Sequence, residues 1–150
     1  MSELKKELYR QCLDYVEKRM EAAQQSIDEA QEASKNDTKS SAGDKYETGR
    51  AMMQQETDRN ITQLNEANKL KVILNKVSIT GVSGKAETGS LVITDNGNFY
   101  ITVSAGTLKV KDETYFAVSA ASPIGLKLLG QKKGDKFVLN GKHYHVKMVI

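Results

Sequence analysis

Tryptophan is absent from this 150-residue chain, and proline and cysteine occur once each. Cys12 alone cannot form an internal disulfide, so a secreted disulfide scaffold is excluded and a reduced, cytoplasmic setting is expected. No apolar run approaches the ~18–20 residues a membrane span requires, so no membrane partner is expected. The opening MSELKKELYR has no apolar stretch, and a signal peptide is not expected. Three Phe and six Tyr leave little material for base-stacking platforms or for lining a proline pocket. Gly81, Gly84 and Gly89 lack the Lys-Ser/Thr of a phosphate loop and open no helix, so they read as turns and strand ends. No Ser–His–Asp or Cys–His set is suggested at any spacing.

Charge is present in quantity and unevenly placed. Residues 1–75 hold 12 Lys/Arg against 14 Asp/Glu, a net of −2, whereas residues 76–150 hold 10 Lys against 5 Asp/Glu, a net of +5. A basic second half predicts an acidic partner surface or nucleic acid, beside the plainer reading of a solvated lysine face.

The apolar positions Leu4, Leu8, Cys12, Val16, Met20, Ala23, Ile27 and Ala30 step by fours and threes, which is one stripe on a helix of period 3.6. The stretch Ser34–Glu47 is polar and carries Ser40, Ser41 and Gly43, so it cannot continue a buried helix. A second helix is predicted to start at Asp44, an N-cap with Glu47 at the reciprocal capping-box position. Its stripe runs Tyr46, Met53, Ile61, Leu64, Ala67, Leu70 and Leu74, interrupted at Thr57. Neither helix can bury its stripe alone. The two together predict an antiparallel helical hairpin, a coiled-coil arm over 1–75 with its tip near 35–46.

Beyond Asn75 the pattern changes to period two. Strands are predicted at Val77–Thr80, Ser90–Thr94, Phe99–Val103, Tyr115–Ser119, Phe137–Leu139 and Tyr144–Ile150, with turns at Asp95-Asn96-Gly97-Asn98, Gly134-Asp135 and Asn140-Gly141. Ser122-Pro123 opens a short helix, with Ser as N-cap, Pro at N1 and Gly130 just past its end. The fold class is therefore α+β: a helical hairpin over 1–75, then an antiparallel β domain with one short helix over 76–150.

The run Ser122-Pro-Ile-Gly-Leu-Lys-Leu-Leu-Gly130, followed by Gly134-Asp135, resembles the C-terminal signature of the Gre family of bacterial transcription elongation factors. The stretch GSLVITDNGNFYI over Gly89–Ile101 is similar to that family's preceding hairpin, and Lys45-Tyr46-Glu47 and Gln54-Gln55-Glu56 fall where its coiled coil resumes after the tip. The resemblance implies an FKBP-like C-terminal domain that binds RNA polymerase, carried over here to Ser122, Pro123, Ile124 and Gly125. It implies a coiled coil entering the polymerase secondary channel, where tip carboxylates help hold a second Mg²⁺ and stimulate cleavage of backtracked RNA. Such a protein is not itself an enzyme. It acts on the polymerase's own activity, and Mg²⁺ shared with that active centre is the only cofactor implied.

The tip departs from the family pattern. Anchoring on Tyr46 places Lys39 and Ala42 at the two acidic positions, and neither binds Mg²⁺. The carboxylates nearby are Asp37, Asp44 and Glu47. Asp44 and Glu47 already have a capping role, and Asp37 sits in an Asn-Asp-Thr turn. A non-cleaving competitor for the channel, or an altered tip chemistry, is therefore the favoured form of the reading, with cleavage stimulation through a loop that brings Asp37 and Asp44 together as the other form.

An alternative from another class is a basic-domain adaptor that binds nucleic acid directly, with the coiled coil as a dimerisation element. His143 and His145, two apart on a strand, share a face but lack an evident third metal ligand, so surface histidines are expected.

Overall fold

In the computed structural model, residues 2–37, 43–77 and 84–150 are described, residues 2, 34–37 and 43–50 by their backbone alone. The elements in order are α1 (Ser2–Asp37), α2 (Gly43–Lys76), β1 (Leu91–Thr94), β2 (Gly97–Thr102), β3 (Gly106–Val110), β4 (Glu113–Ser119), α3 (Pro123–Leu128), β5 (Lys136–Leu139) and β6 (Lys142–Val149). This is an α+β chain. Two compact units divide it: Val16–Lys71, and Met1–Tyr15 together with Val72–Ile150. α2 ends at Lys76, one residue beyond the sequence boundary at 75/76, and the compact units assign the start of α1 and the end of α2 to the sheet.

Within Val16–Lys71, α1 buries Val16, Ala23 and Ile27, the positions its stripe predicts. Glu17 pairs with Lys71 at 3.9 Å, and Ala30 and Ala33 share a recess with Met53, so the helices run antiparallel. The facing seam of α2 is Met53, Thr57, Asn60, Leu64 and Ala67, with strict steps of four and three. Ile61, expected in the seam, is instead 42% exposed because the 3.5-residue period selects its neighbour Asn60. The Asn60 Nδ2 is buried with no hydrogen-bond partner among the described residues. An unmet buried donor costs about 1–3 kcal/mol, so this seam is weaker than an all-apolar one. Residues 38–42 lie outside the described residues, as do the side chains of Asp37, Asp44 and Glu47. In backbone terms α1 reaches Asp37, and α2 begins at Gly43, one residue ahead of the predicted cap.

The sheet has the order β3-β4-β2-β1-β6-β5. Every neighbouring pair is antiparallel except β2 with β4, which is parallel from Phe99↔Phe116 to Thr102↔Ser119, where the strand reading predicts an antiparallel sheet throughout. The cause is β3, which pairs with β4 from the outer edge, so that β4 returns beside β2 in the same direction. Strand alternation then gives two faces. One buries Val92, Phe99, Ile101, Tyr144 and Val146 together with Leu128 of α3. The other presents Leu91, Tyr100, Thr102, Leu108 and Tyr115, all buried, to the first turns of α1, where Leu8 and Cys12 are fully buried. Two contacts fix that packing: Cys12 Sγ lies 3.6 Å from Thr102 Oγ1, and Gln11 Nε2 donates to the Lys109 carbonyl at 2.9 Å. The predicted strand at Val77–Thr80 falls largely on residues 78–83, outside the described residues.

Candidate functional site

The loop from β4 to α3 is built by one serine. Ser122 Oγ donates to the Ser119 carbonyl at 2.6 Å and accepts from the Gly125 N–H at 3.0 Å, while Ser122 N donates to the same Ser119 carbonyl at 3.1 Å. This is an N-cap, with Pro123 following at the first helical position, as the sequence predicts. Gly125 is buried, and a Cβ there would lie 2.0 Å from the Ser119 carbonyl oxygen. Only glycine permits so close an approach of helix to strand end.

The four residues carried over for partner binding therefore divide. Ser122 and Gly125 are spent on the corner itself, and Ile124 is half-buried against the core. Pro123 is exposed. The outer face of α3 is completed by Leu126, 63% exposed, and by Leu129 just beyond the helix. Sequence reading passes over these two leucines because the Leu-Lys-Leu-Leu run looks uniformly internal. The signal was available in the spacing, since Leu126 follows Pro123 by three on a six-residue helix whose inner positions are Gly125 and Leu128.

Under α1 lies a second polar constellation. Burial pushes the Cys12 thiol up, against the opposing contact with Thr102. Tyr100 is fully buried, its hydroxyl has no hydrogen-bond partner among the described residues, and burial, then Cys12 and Tyr9, raise its ionisation strongly. With Cys12 and Tyr100 both fully buried, the group is a packing contact between α1 and the sheet. Tyr100→Phe, which removes the unmet hydroxyl, should stabilise the protein by about 1 kcal/mol at pH 7. A folded-state ionisation raised above the unfolded value gives stability that is lost as pH rises past the unfolded tyrosine value of about 10. The advantage of the variant should accordingly grow between pH 7 and 10.5, as read by urea unfolding. A constant difference would contradict the assignment.

Of the remaining predicted groups, His143 and His145 lie on one face of β6 beside Asp95 and Lys136 in a shallow recess of about 400 Å³. Asp95 Oδ1 accepts from the His145 N–H at 2.8 Å. Among the described residues no three His, Cys, Asp or Glu side chains come together to hold a metal ion. No described helix is long and apolar enough to cross a membrane.

No family model matches the chain, and no curated protein sequence matches it. Among solved structures, that of the transcription factor Gfh1 is similar over 94% of this chain and 92% of its own, with 20% identity and a TM-score of 0.35.

Proposed function

We propose that this chain is a Gre-like transcription regulator that binds RNA polymerase through the α3 corner and presents its helical hairpin to the secondary channel. The observation that carries the reading is the corner. The Ser-Pro-Ile-Gly run on which the family resemblance rests forms a capped helix whose outward surface is Pro123 and Leu126. An exposed leucine next to a rigid proline is a preorganised apolar contact, the kind that binds a partner with little ordering entropy. The pairing of α1 with α2 over Val16–Lys71 supports the second half of the reading, since a two-helix arm needs a mutually buried seam. With Lys39 and Ala42 at the positions the family fills with carboxylates, the arm competes for the channel rather than completing a metal site.

The test is retention of purified core RNA polymerase by the tagged full-length chain. Wild type should retain it. Leu126→Asp should weaken binding at least about tenfold, the loss expected from truncating a buried interface anchor, while melting close to wild type because Leu126 is largely exposed and outside the core cluster. On backtracked complexes with Mg²⁺, wild type should release no short 3′ RNA fragments. Failure to retain polymerase would overturn the reading. Fragment release abolished by Asp44→Ala would overturn its non-cleaving form.

A further inference from the structure

The lysines of the second half are not spread evenly. Lys132, Lys133, Lys136, Lys142 and Lys147 fall within sixteen residues of the β5–β6 region, all exposed, and none forms an ion pair among the described residues. One carboxylate shares the segment, that of Asp135, and it is engaged by the Lys132 N–H at 2.8 Å. The register places Lys136 opposite His145 and Val138 opposite His143, so these four side chains share the face turned away from the Phe137–Tyr144 stack. His143 and His145, two residues apart on one strand, stand ~7 Å from each other along it. Val138, 47% exposed, lies beside them. Asp95 closes the recess at its rim, one oxygen held by the His145 N–H.

We propose that this face of the β5–β6 hairpin binds single-stranded nucleic acid. Each part has a role in that chemistry. Lys136, and Lys147 two residues beyond His145 on the same side of β6, meet the phosphates, whereas Lys142 opposite Leu139 faces the other way and Lys132 lies beside Glu87. The two flat imidazoles supply the stacking surfaces that the chain's few aromatics do not, because histidine stacks on unpaired bases as Phe and Tyr do. Asp95 offers an acceptor for exocyclic base amines, whose pairing hydrogens are free only in an unpaired base. An extended sheet face with spaced planar side chains suits an unstacked strand, and a duplex keeps its bases out of reach of such a shallow recess. This inference does not rest on polymerase binding.

The experiment uses the full chain without polymerase and follows fluorescence anisotropy of labelled twelve-nucleotide single strands, RNA and DNA, and of the matching duplexes. Single strands should bind more tightly than duplexes at 50 mM salt. His143→Ala with His145→Ala should weaken single-strand binding at least about tenfold, and His143→Phe with His145→Phe should restore it, because stacking rather than charge is at stake. Lys136→Gln with Lys147→Gln should reduce the slope of log affinity against log salt by about 1.4, roughly 0.7 for each phosphate contact. Lys109→Gln with Lys111→Gln, an equal charge change on β3 and its turn, should leave affinity unchanged. The proposal is overturned by no binding at 50 mM salt, by duplexes binding as tightly, or by an equal loss in the Lys109/Lys111 control. Retention of polymerase by the histidine variant would leave the proposed function standing on its own evidence.

Discussion

Gly125→Ala should lower the stability of the sheet unit by about 3 kcal/mol, the upper range of overpacking costs, because the added methyl meets backbone rather than a side chain that can turn aside. Its position would be 2.0 Å from the Ser119 carbonyl oxygen and 2.9 Å from Ser122 Oγ. Relief requires α3 to move away from the end of β4. That movement breaks the N-cap, since the Gly125 N–H is the donor that Ser122 Oγ accepts from. It also draws Leu128 out of the core, where it is fully buried. The melting temperature should fall on the order of 10 °C. Gly84→Ala is the control: nothing among the described residues lies within 4 Å of a Cβ there, so thermal unfolding should be within about 0.5 kcal/mol of wild type. Equal melting of the two variants would contradict the tight corner.

Lys5→Glu should be the most damaging change on the other side of the sheet. Lys5 is 3% exposed in the first turns of α1, and the charge that faces it is Glu87. Burial lowers the ionisation of the lysine and Glu87 partly opposes this. A carboxylate in its place would be buried opposite a like charge, costing at least about 3 kcal/mol. Lys5→Met keeps the length of the side chain and removes the buried charge, so it should be neutral or stabilising. The pH dependence has a definite sign. The folded-state value lies below the unfolded one of about 10.4, so between the two the unfolded chain holds more protons and stability rises with pH. Lys5→Met should lack that alkaline rise when its urea midpoint is compared with that of wild type. Indifference to Lys5→Glu would show that the lysine reaches water.

The features legible in the sequence were those with a local physical cause. The α1 stripe from Leu4 to Ala30 came from period alone, and every one of its positions is buried or half-buried. Ser122, Pro123 and Gly130 mark α3 because each answers a specific backbone requirement at a helix end. Asn140-Gly141 joins β5 to β6 with both residues at positive φ, the turn this pair favours. By contrast β3 escaped notice. It is bounded by Lys111 and Asp112, at φ 50° and 66°, and Lys-Asp carries no glycine to announce such a turn. The parallel pairing of β2 with β4 was likewise hidden, because strand direction is decided by which edge β3 occupies. Asn60 displaced Ile61 from the helical seam because a 3.5-residue repeat, not residue hydrophobicity, selects the facing side. Of the candidate sites, the alternation of His143 and His145 was readable, and so was the spacing that sets Leu126 on the side of Pro123, but which side of α3 faces outward is decided by the burial of Gly125 and Leu128.

The position of β6 between β1 and β5 has a consequence for biosynthesis. Val92 pairs with Val149, so a strand made early waits for one made more than fifty residues later. Until that segment emerges from the ribosome, β1 has an open hydrogen-bonding edge. Synthesis at about 5–20 residues per second leaves this intermediate exposed for several seconds. The nascent chain is therefore a natural client for holdase chaperones, and synonymous codon changes that slow translation across β2–β5 would lengthen the interval in which strands from neighbouring ribosomes can pair with it.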